Sequence, residues 1–112
     1  EGEIESARIE GRVAVAPGAR IERSLVRGPA IIGPGAVITD SYIGPYTSID
    51  RDVVVEHSEV QHSILLAGAK VLSLETRMEA SLLGRNVTLK RGERRPRTIS
   101  MIVGDNSEIT LP

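Results

Sequence analysis

Aliphatic residues return in this chain on a 17-residue lap. In four windows opening at Ala7, Ser24, Ser41 and Ser58, one column reads Ile9, Val26, Ile43 and Val60. A second reads Val15, Ile32, Ile49 and Leu66, and a third reads Ile21, Ile38, Val55 and Leu72. The columns are spaced 6, 6 and 5 residues apart, so each lap has three sides. That spacing does not follow the 3.6-residue period of a helix, and Gly or Pro interrupts nearly every turn. Each side reads as a short strand and a corner. Ile32 and Ala36 point inward, Gly33-Pro34-Gly35 forms the corner, Val37 points outward and Ile38 inward again, by strand alternation. The other corners are Ala16-Pro17-Gly18, Asp50-Arg51-Asp52 and Ala67-Gly68-Ala69, residue types that suit tight turns. Ala19, Ala36 and Val53 fill an inward slot near the corner, where space is short.

Fixed-period repetition of this kind predicts an all-β solenoid, the parallel β-helix of hexapeptide repeats. Coils stack at about 4.8 Å per layer, so about five triangular coils make a prism roughly 24 Å tall. The expected organisation is a single domain over 1–112, with coils over about 7–92 and a linker and cap over 93–112. The period breaks once. Ser81, in Met78-Glu79-Ala80-Ser81-Leu82-Leu83-Gly84, matches the stretch around Ser41 but lies 23 residues after Ser58. The six extra residues are expected to loop out near 73–77. Lys70 falls in an inward slot just before the break, either with its stem buried or because the register is already lost there.

After Leu89 the pattern turns polar. Lys90 to Arg97 carries five cations and one Glu. Ile99, Met101 and Val103 then alternate, Gly104-Asp105-Asn106-Ser107 makes a turn, and Ile109 and Leu111 alternate again. This tail either adds a partial coil or folds over the open end, since solenoid ends expose unpaired edges. The other end starts almost directly with a coil, which leaves a place for something to cover it and is compatible with an excised or engineered scaffold.

Composition narrows the function classes. Two Tyr with no Phe or Trp require a thin core of Ile, Val and Leu. No apolar run approaches the roughly 18 residues of a membrane span, and no signal-peptide pattern opens the chain. Without Cys there is no thiolate chemistry, which fits a reducing cytoplasm. A net charge of -1 and the lack of aromatics among the basic residues argue against nucleic acid. Two histidines and no Cys leave no three-histidine zinc site within one chain, and no metal is expected.

Three stretches carry a family resemblance: GPAIIGPGAVITDSYIGPYTSID from Gly28 to Asp50, EHSEVQHSILL from Glu56 to Leu66, and LLGRNVTLKRGERRPR from Leu82 to Arg97, with VGDNSEI from Val103 to Ile109. They resemble the carboxy-terminal domain of long-form glucose-1-phosphate thymidylyltransferases. The resemblance implies left-handed winding. It also implies an amino-terminal nucleotidyltransferase domain that joins dTTP to a sugar 1-phosphate with Mg2+ and releases pyrophosphate. That domain's Gly-rich phosphate loop and acidic metal ligands are not in this chain, where Gly33-Pro34-Gly35 is a coil corner. The chain itself is then expected to be a non-catalytic oligomerisation domain, without a cofactor of its own.

The alternative is a hexapeptide acyltransferase domain using acetyl-CoA on an amino-sugar phosphate. By resemblance His62 is the candidate base, with Asn86 and Lys90 as substrate contacts; His57 lies at another corner, and both histidines should be partly exposed. The outward column Arg20, Val37, Val54 and Val71 presents three valines, an apolar stripe expected to form the interface of a homotrimer. The other outward columns read Ala14, Ile31, Ser48, Leu65 and Arg8, Leu25, Tyr42, Glu59, Leu82.

Overall fold

Every strand of the coils pairs in parallel with the strand one lap away, so three sheets rise together as the walls of a prism. The computed structural model describes residues 3–74, 76–91 and 99–102. Sheet A contains Glu3–Glu5, Arg20–Glu22, Val37–Thr39, Val54–Glu56, Lys70–Leu72 and Thr88–Arg91 in that order. Sheet B contains Arg8–Glu10, Leu25–Arg27, Tyr42–Ile43, Glu59–Gln61 and Met78–Glu79. Sheet C contains Val13–Val15, Ala30–Ile32, Thr47–Ile49, Ile64–Leu65 and Leu82–Leu83. The architecture is an all-β, left-handed parallel β-helix of about five coils. Among the described residues no helix is long and apolar enough to cross a membrane.

The core is a set of vertical stacks. Ile21, Ile38, Val55, Val71 and Leu89 line up behind sheet A, and Val26, Ile43, Val60 and Met78 behind sheet B. Ile32, Ile49, Leu65 and Leu83 line up behind sheet C. Ala19, Ala36, Val53, Ala69 and Val87 fill the narrow corner beside sheet A and are fully buried.

A buried serine column adds a polar seam. Ser24, Ser41 and Ser58 each donate a hydroxyl hydrogen to the carbonyl two residues back, at 2.7–2.8 Å. Each hydroxyl also accepts the main-chain N–H one lap on: Ser41 at 3.0 Å, Ser58 at 3.2 Å and Leu74 at 3.1 Å. Thr47 lacks such a partner for its buried hydroxyl. A buried hydroxyl without a hydrogen bond is a net cost, and Val has nearly the same shape. Thr47→Val should therefore leave stability unchanged or raise it by up to about 1 kcal/mol, read as the shift in urea midpoint.

The register corrects the sequence reading from the fourth coil onward. Leu65 pairs with Ile49 and takes the inward place expected for Leu66. Val71 pairs with Val55 and takes the place expected for Leu72. The side from Val60 to Leu65 is one residue shorter than the equivalent sides before it, which moves every later residue by one. Ala69 therefore occupies the inward slot and Lys70 faces out. Val71, expected on the outer face, is fully buried, and the outward column of sheet A reads Arg20, Val37, Val54, Lys70, Thr88.

The expected six-residue loop is also smaller. Leu74 sits in the serine column and Met78 in the sheet B stack, so the lap gains two residues between them, and residue 75 lies outside the described residues. Ser81 matches Ser63, whose hydroxyl accepts its N–H at 3.2 Å, rather than Ser41. Leu82 consequently faces outward on sheet C, beside Ile64, and not on sheet B.

Of the tail, Ile99–Ile102 runs antiparallel to Thr88–Arg91. It folds back on the last coil rather than adding a parallel one. The turn expected at Gly104-Asp105-Asn106-Ser107, the alternation at Ile109 and Leu111, and the basic stretch beyond Arg91 lie outside the described residues.

Candidate functional site

At the three edges of the prism the chain turns through left-handed backbone and presents polar side chains. At the edge between sheets A and B, Ser6, Arg23, Asp40, His57 and Ser73 have φ between 48° and 53°. That conformation is uncommon for residues other than Gly, Asn and Asp. Four of the N–H groups are held by the coil below: Arg23 donates to the Glu5 carbonyl, Asp40 to that of Glu22, His57 to that of Thr39 and Ser73 to that of Glu56, at 2.8–3.1 Å. Identical backbone geometry in successive coils puts the side chains directly above one another.

The result is a charged ladder. Arg23 Nε and Nη2 donate to Asp40 Oδ1 and Oδ2 at 2.9 and 3.1 Å. His57 Nε2 lies 3.8 Å from Asp40 Oδ2. The Arg23 hydrogen bonds hold the Asp40 carboxyl below its ordinary range, and Asp40 in turn raises Arg23. With the folded value depressed, the pair contributes above the carboxylate's unfolded pKa and is lost as pH falls through the folded one. The ladder borders an open groove of about 860 Å³ that also reaches Tyr42 and Glu59.

The edge between sheets B and C carries Tyr46 and His62, both at positive φ, with ring centroids 5.4 Å apart in an edge-to-face contact. At the edge between sheets C and A, Gly35 and Gly68 alternate with Asp52 and Asn86, all at positive φ.

His62, Asn86 and Lys90 do not meet. His62 stands on the B–C edge, Asn86 on the C–A edge, and Lys90 at the far end of a sheet A strand, level with Leu72. Within one chain the three side chains therefore do not converge on a common point. Both histidines are exposed. Among the described residues no group of three or more His, Cys, Asp or Glu side chains converges as metal ligands would. Sequence reasoning missed the Arg23–Asp40–His57 ladder, although its members are 17 residues apart and the repeat would have found it.

Sheet faces differ in charge. On sheet B, Arg27 pairs with Glu10 and Arg77 with Glu59, both at 3.1 Å, and Arg77 covers the Tyr42 ring. Sheet A carries Arg20 and Lys70 in its outward column. The outward column of sheet C is Ala14, Ile31, Ser48, Ile64 and Leu82, without a charge.

No protein-family model matches the chain. Curated proteins do. A glucose-1-phosphate thymidylyltransferase of Streptomyces griseus is 44% identical over 107 residues, 96% of this chain. One from Streptomyces antibioticus is 40% identical over 112 residues, 99% of this chain. The chain is homologous to part of the glucose-1-phosphate thymidylyltransferases. It spans only 30–31% of the length of these two relatives. Among solved structures, this thymidylyltransferase-related β-helix is similar to a variant of GDP-perosamine N-acetyltransferase from Caulobacter crescentus in complex with CoA and GDP-perosamine. Identity there is 14% and the TM-score 0.44, over 88% of this chain and 57% of that one. A serine O-acetyltransferase from Brucella melitensis is 20% identical with a TM-score of 0.35, over 88% of this chain and 40% of that one.

Proposed function

We propose that the chain is the non-catalytic oligomerisation domain of a glucose-1-phosphate thymidylyltransferase-like sugar nucleotidyltransferase of the cytoplasm. The observation that carries this reading is identity of 40–44% along nearly the whole chain to proteins about three times its length. In this reading an amino-terminal domain joins dTTP to a sugar 1-phosphate with Mg2+ and releases pyrophosphate. The β-helix holds copies of that domain together. A stack of coils suits that role, because each coil bonds only to its neighbours and the resulting prism is stiff and presents flat walls.

Two measurements on this chain test the reading. Incubation with dTTP, glucose 1-phosphate and Mg2+ should release no pyrophosphate. Calorimetric titration with acetyl-CoA to about 1 mM should give no saturable heat, a level that still detects Kd values in the millimolar range. Pyrophosphate release would overturn the non-catalytic assignment. A saturable acetyl-CoA isotherm would overturn it in favour of the acyltransferase alternative.

A further inference from the structure

We infer that the groove along the edge between sheets A and B binds an extended, uncharged glycan of β-linked pyranoses, a role separate from holding copies together. The groove lies between two columns of side chains that rise one coil at a time. One wall is the ladder of Arg23, Asp40 and His57, with Ser6 below it. The other is the outward column of sheet B, Arg8, Leu25, Tyr42 and Glu59. The buried serines Ser24, Ser41 and Ser58 are the floor, and their small side chains give the groove its depth. It runs from Ser6 to Thr76 with a volume of about 860 Å³. Five coils make it roughly 19 Å long from first layer to last. A site of that shape takes a linear molecule.

Period and charge select which one. The rungs of each wall recur at about 4.8 Å, one per coil. An extended peptide advances about 3.3 Å per residue, so its like-facing side chains recur at about 6.6 Å and fall out of step with the coils. A β-linked glycan advances by close to one layer per sugar. Its successive rings turn over, so their hydroxyls meet the two walls alternately. The cations of the groove are already paired: Arg23 with Asp40 at 2.9 Å, Arg8 with Glu10 at 3.7 Å and Arg77 with Glu59 at 3.1 Å. That pairing leaves little positive field to hold a polyanion. A neutral polyol can leave the pairs intact and bond to the sites they do not use. Asp40 accepts two hydrogen bonds from Arg23, and a carboxylate has about four acceptor sites. The doubly bonded pair is fixed before a ligand arrives, which lowers the ordering cost of binding. Leu25 and Tyr42, half-buried neighbours on the sheet wall, offer apolar surface to the C–H face of a ring.

The open groove sets the strength. Hydrogen bonds made beside water are individually weak, so affinity accumulates sugar by sugar. A five-sugar chain that spans the five coils should bind with a Kd of about 0.1–1 mM, and a disaccharide at least about ten-fold more weakly.

Amide NMR spectra of this chain titrated with cellopentaose, cellobiose and maltopentaose test the site. Cellopentaose should give saturable shifts at Arg23, Asp40, Tyr42 and His57, and none at Tyr46 or Ile31, which stand elsewhere on the prism. Cellobiose should bind more weakly by the factor given above. Maltopentaose has the same sugars in a curved, α-linked chain and should bind at least about five-fold more weakly than cellopentaose. Tyr42→Ala and Asp40→Ala should each raise the Kd for cellopentaose about five-fold or more. Tyr46→Ala removes the exposed aromatic ring of the B–C edge and should leave that Kd unchanged. Circular dichroism checks that each variant is folded, and the comparison of sugars needs no variant. No saturable shift up to about 10 mM cellopentaose would overturn the site. Equal affinity for cellopentaose and maltopentaose, or for cellopentaose and cellobiose, would overturn the match of sugar to coil. Shifts that persist unchanged in both groove variants would place binding elsewhere and overturn it too. An extended peptide of Ser, Thr and Asn that binds the groove more tightly than cellopentaose would overturn the choice of a glycan.

Discussion

Ile38→Ala should destabilise the protein by about 2–5 kcal/mol, a large share of the total expected for a domain of this size. Ile38 is fully buried in the middle of the sheet A stack, with Ile21 one coil below and Val55 one coil above. Removing its side chain takes away apolar contact in three layers. The void has little means of closing, because the main chain on both sides is held by parallel ladders to the neighbouring coils. Cavity cost scales with the volume that fails to collapse. A urea titration followed by circular dichroism reads the effect as a lowered midpoint. Ile31→Ala, on the exposed face, should move the midpoint of the monomer by no more than about 0.5 kcal/mol. Equal losses at the two positions would mean that the inward and outward columns have been misassigned.

Gly33→Ala should be almost as damaging, for a different reason. A Cβ at Gly33 would stand 2.7 Å from the Asp50 carbonyl carbon, 2.9 Å from the Arg51 nitrogen and 3.0 Å from the Ile49 carbonyl oxygen. These are backbone atoms of the next coil, and the Gly33 N–H donates to that same Ile49 carbonyl at 2.7 Å. Neither side of the contact can give without opening the ladder between coils. A loss of at least about 2 kcal/mol is expected, read as a lowered melting temperature. Gly68→Ala makes the informative comparison. Its Cβ would meet the Asn86 side-chain oxygen, which can swing away, leaving mainly the strain of a φ of +76°. That strain is about 1–2 kcal/mol. Gly33→Ala melting above Gly68→Ala would contradict the close backbone approach.

The first three coils are legible in the sequence because their sides keep constant length. Ile9, Val26 and Ile43, or Val15, Ile32 and Ile49, fall where the repeat puts them. The fourth coil is not, and the reason is chemical. Where the side after Val60 loses one residue, the frame moves from Leu66 to Leu65 and from Leu72 to Val71. Each pair is two adjacent aliphatics, so a hydrophobicity pattern reads equally well in either frame. Pairing between coils settles it, and pairing is not written in one chain's polarity. The error then spreads to function. A one-residue slip exchanges the faces of a strand, so the constant period puts Val71 outside and takes Leu65 from the core. The same slip takes Ile64 off the apolar wall of sheet C, and matching Ser81 to Ser41 rather than Ser63 takes Leu82 off it.

The edges are partly legible. Gly, Pro and Asp mark the corners, but the need for left-handed backbone at Arg23, Tyr46, His57 and His62 is not visible from residue type. These side chains sit at positive φ because main-chain hydrogen bonds to the coil below hold them there. The separation of His62, Asn86 and Lys90 follows from this too. Residues close in the count of coils can stand on different edges, and only the lap position tells which.

The reversal of Ile99–Ile102 has a consequence for polymerisation. A solenoid is a ready template for itself, since the last strand of one prism could seed the first strand of another and build a filament. In sheet A that run of like-directed strands ends at Thr88–Arg91, where the neighbouring strand lies head to tail. Another prism arriving end-on would find the Thr88–Arg91 edge already occupied, so the parallel ladder of sheet A cannot be continued directly from that strand.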